Sequence, residues 1–418
     1  MQVRYDEGSL CIMLPEKINA TTVAAFEKEL FAIEQLNGAE EIILDADNLS
    51  YIASLGLRVL LKLKKRCKGT PISLVNTDDA VYKIFEDTGF AKMLKVTKKL
   101  RFVNIDSLEV LGAGTYGSVY RINEEQILKV FHNVQSEQAI HEIINTVRIA
   151  FTHGIPTIIP FEVVRTAKGI GVVLELLNAE IMATLMHGNP KDFDKHVIEL
   201  VELAKTLADT TFEEGTLNNR RSFMTSGAES GDAYLTPEEI VAIKKYIDLV
   251  PHRNSGVHGD FHARNIMMMD GSPLLIDMDE FSCGHPIWDL GGTYCIYQVF
   301  SHLPADITHK LFELEGMTFT DLYFKLFGFT FDEADRCWEK FFNEYFKDYS
   351  DQDKIYLAEL SKVYGLLRAL VFAIERCHLA KDDPAKLAMK IYTVRYLLKE
   401  MQAVDFDHLI KAFEVWKL

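Results

Sequence analysis

The chain of 418 residues lacks most of what would staple it, anchor it or stretch it out. Its six cysteines (Cys11, Cys67, Cys283, Cys295, Cys337 and Cys377) are scattered, with no CxxC pair, which argues against a zinc site or a redox couple. They read as reduced, buried thiols of a cytosolic protein. No apolar run approaches the ~20 residues needed to span a bilayer. The longest, around Leu366–Ile374, contains Arg368 and reads as a buried helix. The opening MQVRYDEGSL lacks the basic-then-apolar order of a signal peptide. Internal repeats and low-complexity segments are absent too. Basic residues are in deficit, 45 against 61 acidic, for a formal net charge of −16. A surface that negative repels nucleic acid and anionic membrane on average. The expectation is a cytoplasmic protein without nucleic-acid or membrane partners.

What is present is ordinary for a chain that buries a core, 48% hydrophobic and 25% charged, long enough for two or three units. Residues 1–100 alternate short strands with helices. Leu10–Leu14, Ile42–Leu44 and Ile72–Val75 read as strands. Val23, Phe26, Leu30 and Ile33 share one helical face, a second helix starts near Ser54, and Asp78 and Asp79 open a third that stops at Gly89. This is a compact α/β unit. The basic stretch Val96–Asn104 reads as a seam. Beyond it, Glu109–Leu111, Val119–Ile122 and Ile127–Phe131 read as strands, about Ser136 to His153 as a helix, and Gly171–Leu177 as another strand. The rest is helical apart from a loop-and-strand region at 255–290.

Three motifs carry chemistry. The first is Gly112-Ala-Gly114-Thr-Tyr-Gly117-Ser-Val119. A dinucleotide fold needs a helix after the last glycine, but Ser118–Ile122 reads as a strand. A glycine hairpin that lays backbone N–H groups over nucleotide phosphates fits better than a plain turn. The second is Lys129, twelve residues past Gly117 on an apolar strand, where an unpaired charge is costly. It suits the α/β-phosphates of a nucleotide. Glu142 and Glu137 on the following helix are its candidate partners, with Glu142, nearer mid-helix, preferred. The third and strongest is His258-Gly-Asp260-Phe-His262-Ala-Arg-Asn265, followed by Leu274-Leu-Ile-Asp277-Met-Asp279. Phosphoryl transfer needs a carboxylate to orient the acceptor hydroxyl and oxygen ligands for Mg²⁺. Asp260 suits the first role, and Asn265 and Asp277 the second. His258 reads as a brace for the loop, Asp279 as a contact to metal or acceptor, and Asp289 as a cap on the loop backbone.

Together these motifs resemble the aminoglycoside phosphotransferase and choline kinase branch of the kinase-like superfamily, over about residues 107–418. HGDFHARN matches that branch's HGDxHxxN loop, and IDMDEFSCGHPIWDL its Asp-bearing segment and Trp-Asp motif. Unlike eukaryotic protein kinases, the chain has Asp-Met-Asp in place of DFG, and no APE. The resemblance implies an α+β, bilobal protein-kinase-like fold, with a sheet lobe at 107–178 and a helical lobe at 179–418. It implies ATP and Mg²⁺ as cofactors, Asp260 as catalytic base, Asn265 and Asp277 as metal ligands, and Lys129 on the phosphates. Glu175 and Leu177 would be the hinge whose backbone meets adenine. The first hundred residues resemble a STAS domain, as in anti-sigma-factor antagonists, through Leu44-Asp-Ala-Asp-Asn-Leu-Ser-Tyr-Ile-Ala-Ser54-Leu-Gly56. The family's phosphorylated switch residue aligns with Ser54, where a helix N-terminus would favour a phosphate. Ala53 and Leu55 depart from the family pattern, and an N-cap role is the alternative for Ser54.

The expected activity is transfer of the γ-phosphate of ATP to a hydroxyl of a small molecule, with the STAS domain for regulation or binding of an anti-sigma-like partner. Asp279 and Glu280 at the acceptor rim would suit an amine-bearing acceptor. The alternative is a protein kinase that phosphorylates Ser54 in cis or trans. A pseudokinase scaffold ranks last, because Lys129, Asp260, Asn265 and Asp277 are all present.

Overall fold

The structure is a computed structural model that describes residues 1–6, 8–113, 117–132, 137–308 and 316–417. It divides into two units: Met1–Ser107 with Val163–Gly169, and Leu108–Glu162 with Ile170–Leu418.

In the first unit, alternating burial along Ser9–Met13 and Glu41–Asp45 puts Leu10, Ile12, Ile42 and Leu44 on one face of a sheet. The strand order is Val3–Asp6, Ser9–Met13, Glu41–Asp45, Ile72–Thr77, Lys95–Lys98. The first pair is antiparallel and the others are parallel. Helices Val23–Phe31, Ser54–Arg66 and Asp79–Asp87 supply Leu30, Leu60, Leu63, Val81 and Phe85 to this core. Asp78 caps the third helix by accepting the Val81 N–H at 2.7 Å. The basic stretch read as a seam, Val96–Asn104, runs up to the division after Ser107 and is itself structured. Lys95–Lys98 is an edge strand, Lys98 meets Asp79 and Lys99 meets Asp47, and Arg101–Phe102 pairs in parallel with Val164 and Arg165. Short basic edge strands leave no composition signal that separates them from a linker.

In the second unit, an antiparallel sheet runs in the order Gly169–Glu175, Gln126–Phe131, Gly117–Arg121, Glu109–Ala113. Helix Glu137–Thr152 buries Ile140, Ile144 and Val147. The helical part is organised around the 29-residue helix Asp351–Leu379. This helix packs on Pro384–Gln402 and on Ile287–Tyr294. Two glycines permit the second contact. A Cβ on Gly291 would lie 2.8 Å from the Tyr364 backbone, and one on Gly365 2.5 Å from the Tyr294 ring. After Tyr294 the helix widens into a π-turn, Cys295–Phe300. Among the described residues no helix is long and apolar enough to cross a membrane.

His285 lies in the core beside this pair. It is 3% exposed, accepts the Ile287 N–H at 3.1 Å through Nδ1, and is flanked edge-on by Phe413 and Trp416. Burial, with Arg253 nearby, pulls its pKa down to about 3. The folded-state value lies below the unfolded one. The neutral ring therefore contributes its full stability above about pH 6.5, and that contribution is lost as pH falls toward 3.

Two outcomes are expected. Gly291→Ala should destabilise the protein by about 1–3 kcal/mol through overpacking, whereas helix propensity alone would stabilise it by about 1 kcal/mol. A urea midpoint that is unchanged or raised would count against the close contact. His285→Asn keeps an acceptor for Ile287 and removes the titration. It should flatten the acid loss of stability between pH 6.5 and 3, where each pH unit costs wild type up to about 1.4 kcal/mol. Parallel curves for the two proteins would rule this out.

Candidate active site

The catalytic loop leaves strand Ser255–Val257 and is held from below by one buried carboxylate. Asp289, in helix Ile287–Tyr294, accepts the His258 N–H at 2.7 Å and the Gly259 N–H at 2.8 Å. Burial pushes its pKa up, against the lowering effect of His258 and these two bonds. Two neighbours complete the support. Thr293 donates to the Phe261 carbonyl at 3.0 Å, and the Tyr297 hydroxyl accepts the Ala263 N–H at 2.9 Å. His258 acts as a brace: Nε2 donates to the Ile276 carbonyl at 3.0 Å, and Nδ1 accepts the Asp260 N–H at 3.3 Å.

This support presents Asp260 at a cleft of about 600 Å³. The Asn265 side-chain NH₂ donates both to the Asp260 carbonyl at 2.9 Å and to its carboxylate at 3.0 Å. His262 Nε2 lies 3.5 Å from the same carboxylate. Burial alone would raise the Asp260 pKa. The imidazole of His262, with Arg368 and His258 farther off, instead holds it well below the usual carboxylate range.

Lys129 lies between strand partners Val119 and Val172, and its Nζ crosses the cleft to Asp277 at 2.5 Å and Asp279 at 2.6 Å. Burial alone would lower its pKa, but Asp279 and Asp277 outweigh that and raise it. Asp277 has φ +59°, a left-handed conformation that aspartate tolerates better than most residues, and it opens a single 3₁₀ turn, Met278–Glu280. Gly112 and Gly117 border the cleft, while Gly114 lies outside the described residues. A side chain at 117 is barred, since its Cβ would meet the Val130 carbonyl oxygen at 2.7 Å.

Other sequence expectations are corrected. Glu142 is exposed on its helix and accepts a hydrogen bond from Gln138 at 3.0 Å. At 100° per residue, a helix that turns Ile140, Ile144 and Val147 inward turns 142 outward. The partners of Lys129 are Asp277 and Asp279. Glu175 ends its strand exposed, paired with Gln126, and neither it nor Leu177 borders the cleft. Strand alternation brings Val172 and Leu174 there instead. In the first unit, Ser54 is the first residue of its helix and exposed. Ala53 occupies the N-cap position, and no side chain makes a cap bond.

The donor set fits Mg²⁺. Asn265 spends its NH₂ on Asp260, which leaves its carbonyl oxygen available beside two carboxylates. Mg²⁺ is commonly bound by one or two carboxylates plus substrate phosphates. Among the described residues no three His, Cys, Asp or Glu side chains form a metal cage.

Sequence reading missed the guanidinium groups around the cleft. Arg220, 2% exposed, donates to Glu280 at 2.6 Å and to the Gly259 carbonyl at 3.1 Å, and Arg368 donates to Glu280 at 3.3 Å. Arg264 and Arg376 also border the cleft. The one signal was Arg368 interrupting the longest apolar run.

Residues 107–323 match the model of the phosphotransferase enzyme family, and residues 1–102 match the STAS domain. No curated protein matches the chain. Among solved structures, it is similar to a choline/ethanolamine kinase family protein from Mesorhizobium loti. The identity is 16%, over 74% of this chain and 92% of that one, with a TM-score of 0.45. It is also similar to the gentamicin complex of APH(2")-IIa, at 14% identity over 80% and 99% of the two chains, TM-score 0.43. The amicoumacin kinase hAmiN in complex with AMP-PNP, Ca²⁺ and Ami is similar at 14% identity over 78% and 96%, TM-score 0.43. The chain belongs to the phosphotransferase enzyme family, with a STAS domain ahead of its phosphotransferase part.

Proposed function

We propose that this phosphotransferase moves the γ-phosphate of ATP to a hydroxyl of a small-molecule acceptor, with Asp260 as the base. The observation that supports this most is the Asp260 carboxylate, ionised, oriented by Asn265 and facing the cleft beside Lys129, Asp277 and Asp279. Asp260 accepts the hydrogen bond of the acceptor hydroxyl and so aims its oxygen. That oxygen bonds to the γ-phosphorus, and the bond to the β–γ bridging oxygen breaks with its electron pair leaving on ADP. The proton passes to Asp260. Lys129 contacts the phosphates, and the apolar faces of Val119, Val172 and Leu174 suit an adenine ring. Asn265 and Asp277 are the residues that would hold Mg²⁺, with Asp279 adjacent. The ion supplies positive charge to the phosphate oxygens.

A second reading has one observation in its favour. Ser54 offers an exposed hydroxyl in the first turn of its helix, flanked by exposed Tyr51 and Leu55. A phosphate there would meet free N–H groups and change the docking of an anti-sigma-like partner.

ADP release from MgATP with a panel of hydroxylated metabolites tests the first reading. Asp260→Asn should lower kcat by about 10²–10⁴-fold with an unchanged thermal midpoint, and chelation of Mg²⁺ should abolish turnover. Equal turnover by wild type and variant would refute Asp260 as base. Mass spectrometry of the same incubations separates the readings. Phosphate on the Ser54 peptide in wild type alone would favour the second.

A further inference from the structure

The cleft continues past Asp260 into the helical part, where its walls are rings and guanidinium groups. Arg368, Phe372 and Arg376 stand at i, i+4 and i+8 of helix Asp351–Leu379, and all three border the cleft. The Phe372 ring lies 5.8 Å from Phe300, on the π-turn. Phe300 stacks on Phe327 at 6.1 Å and 20°. Phe327 meets His262 edge-on at 5.7 Å, and His262 lies 3.5 Å from the Asp260 carboxylate. An aromatic wall thus runs from the base to Arg376, whose guanidinium lies over the Phe372 face, 4.5 Å from its centroid.

The charge at this end is positive. The carboxylates bordering the cleft are all engaged: Asp277 and Asp279 by Lys129, Glu280 by Arg220 and Arg368, and Asp260 by Asn265 and His262. The sequence expectation that Asp279 and Glu280 would receive an amine therefore does not hold. Among the described residues no carboxylate lies within ion-pair distance of Arg264 or Arg376. In a chain of net charge −16, guanidinium groups gathered in one cleft run against the overall composition. A concave site with apolar walls focuses such a field on incoming anions.

We infer that the acceptor is an anionic, ring-bearing alcohol, its ring on Phe300, Phe327 and Phe372 and its carboxylate or phosphate on Arg376. This rests on the small-molecule reading above. Arginine suits the task because its planar fork pairs with either anion through two parallel hydrogen bonds. The rings lead from His262, beside the base, to Arg376, so the acceptor hydroxyl is placed at Asp260 and its anion at the other end of the wall.

Matched probes test it. 4-(2-Hydroxyethyl)benzoate, its methyl ester and 2-[4-(aminomethyl)phenyl]ethanol carry a hydroxyl and a variable group at opposite ends of one ring and differ in charge; uridine 5′-monophosphate against uridine tests phosphate in place of carboxylate. ADP release is measured with wild type, Arg376→Gln and Arg376→Lys, each with its thermal midpoint. The expected result is turnover of the hydroxyethylbenzoate or the monophosphate in preference to the neutral and cationic partners. Arg376→Gln should raise KM for the anion roughly 10- to 100-fold, the worth of a charge-assisted hydrogen bond, with kcat within about 3-fold. Arg376→Lys should recover part of the loss. Preference for the aminomethyl alcohol, or a KM unmoved by Arg376→Gln, overturns the anionic acceptor and leaves the small-molecule kinase standing. Phosphate on the protein with no probe turned over overturns both.

Discussion

Asp289 is the carboxylate on which the rest of the site depends. It lies in the core, and burying an acid is costly unless its oxygens are satisfied. Here both oxygens are, by the N–H groups of His258 and Gly259. The same bonds hold the chain that carries Asp260 two residues later and Asn265 five beyond that. Because Thr293 and Tyr297 reach the loop from the same helical run, the loop is registered against the helical part at four points within a short stretch. Preorganisation of that kind is what phosphoryl transfer asks of a protein, since positioning and charge do most of the work.

Charge in the cleft is arranged in pairs, and the pairs form a gradient. Nearest the glycine strands, Lys129 faces two carboxylates, so this end suits a cation and phosphates together. In the middle stands Asp260, kept ionised by imidazole and guanidinium. Beyond it the arginines outnumber the acids. A phosphate donor and an anionic acceptor would each find positive charge, with Asp260, the proposed base, between them.

The grouping of Asp260, Asn265 and Asp277 at one cleft was legible in the sequence because their spacing is short-range. Asp260, Asn265 and Asp277 lie on one loop–strand–turn–strand segment, and Asp289 follows as the cap it was expected to be. Glu142 was misread because the partner of Lys129 is chosen by tertiary packing. Strand Gln126–Phe131 faces Asp277 and Asp279, 148 and 150 residues downstream, and no local pattern encodes that meeting. The expected hinge contacts were backbone ones near Glu175 and Leu177, whereas the side chains that border the cleft from that strand are Val172 and Leu174. The basic stretch Val96–Asn104 marked the end of the first unit to within a few residues but not the edge strand Lys95–Lys98 that overlaps it, because basic side chains that protect a sheet edge have the composition of a tether. Arg376 gave no signal at all, since an arginine one turn past a phenylalanine reads as a solvated helix face.

The proposed acceptor recognition and the core packing share one helix, so they are not independent. Gly291 lets Tyr364 approach to backbone contact, and Gly365 lets Tyr294 approach in return. These contacts fix both the rotation and the axial position of helix Asp351–Leu379 against the helix that holds the catalytic loop. Arg368 follows Gly365 by three residues, then Phe372 and Arg376 by successive turns. A shift of the long helix by one residue would rotate this stripe by about 100° and turn it away from the cleft. The wall continues through the π-turn Cys295–Phe300, whose Phe300 ring lies 5.8 Å from that of Phe372. Changes that alter what the cleft accepts are therefore expected first at side chains on this stripe, which can change without disturbing the glycine contacts. Changes at the glycines would move the whole wall and the catalytic loop together.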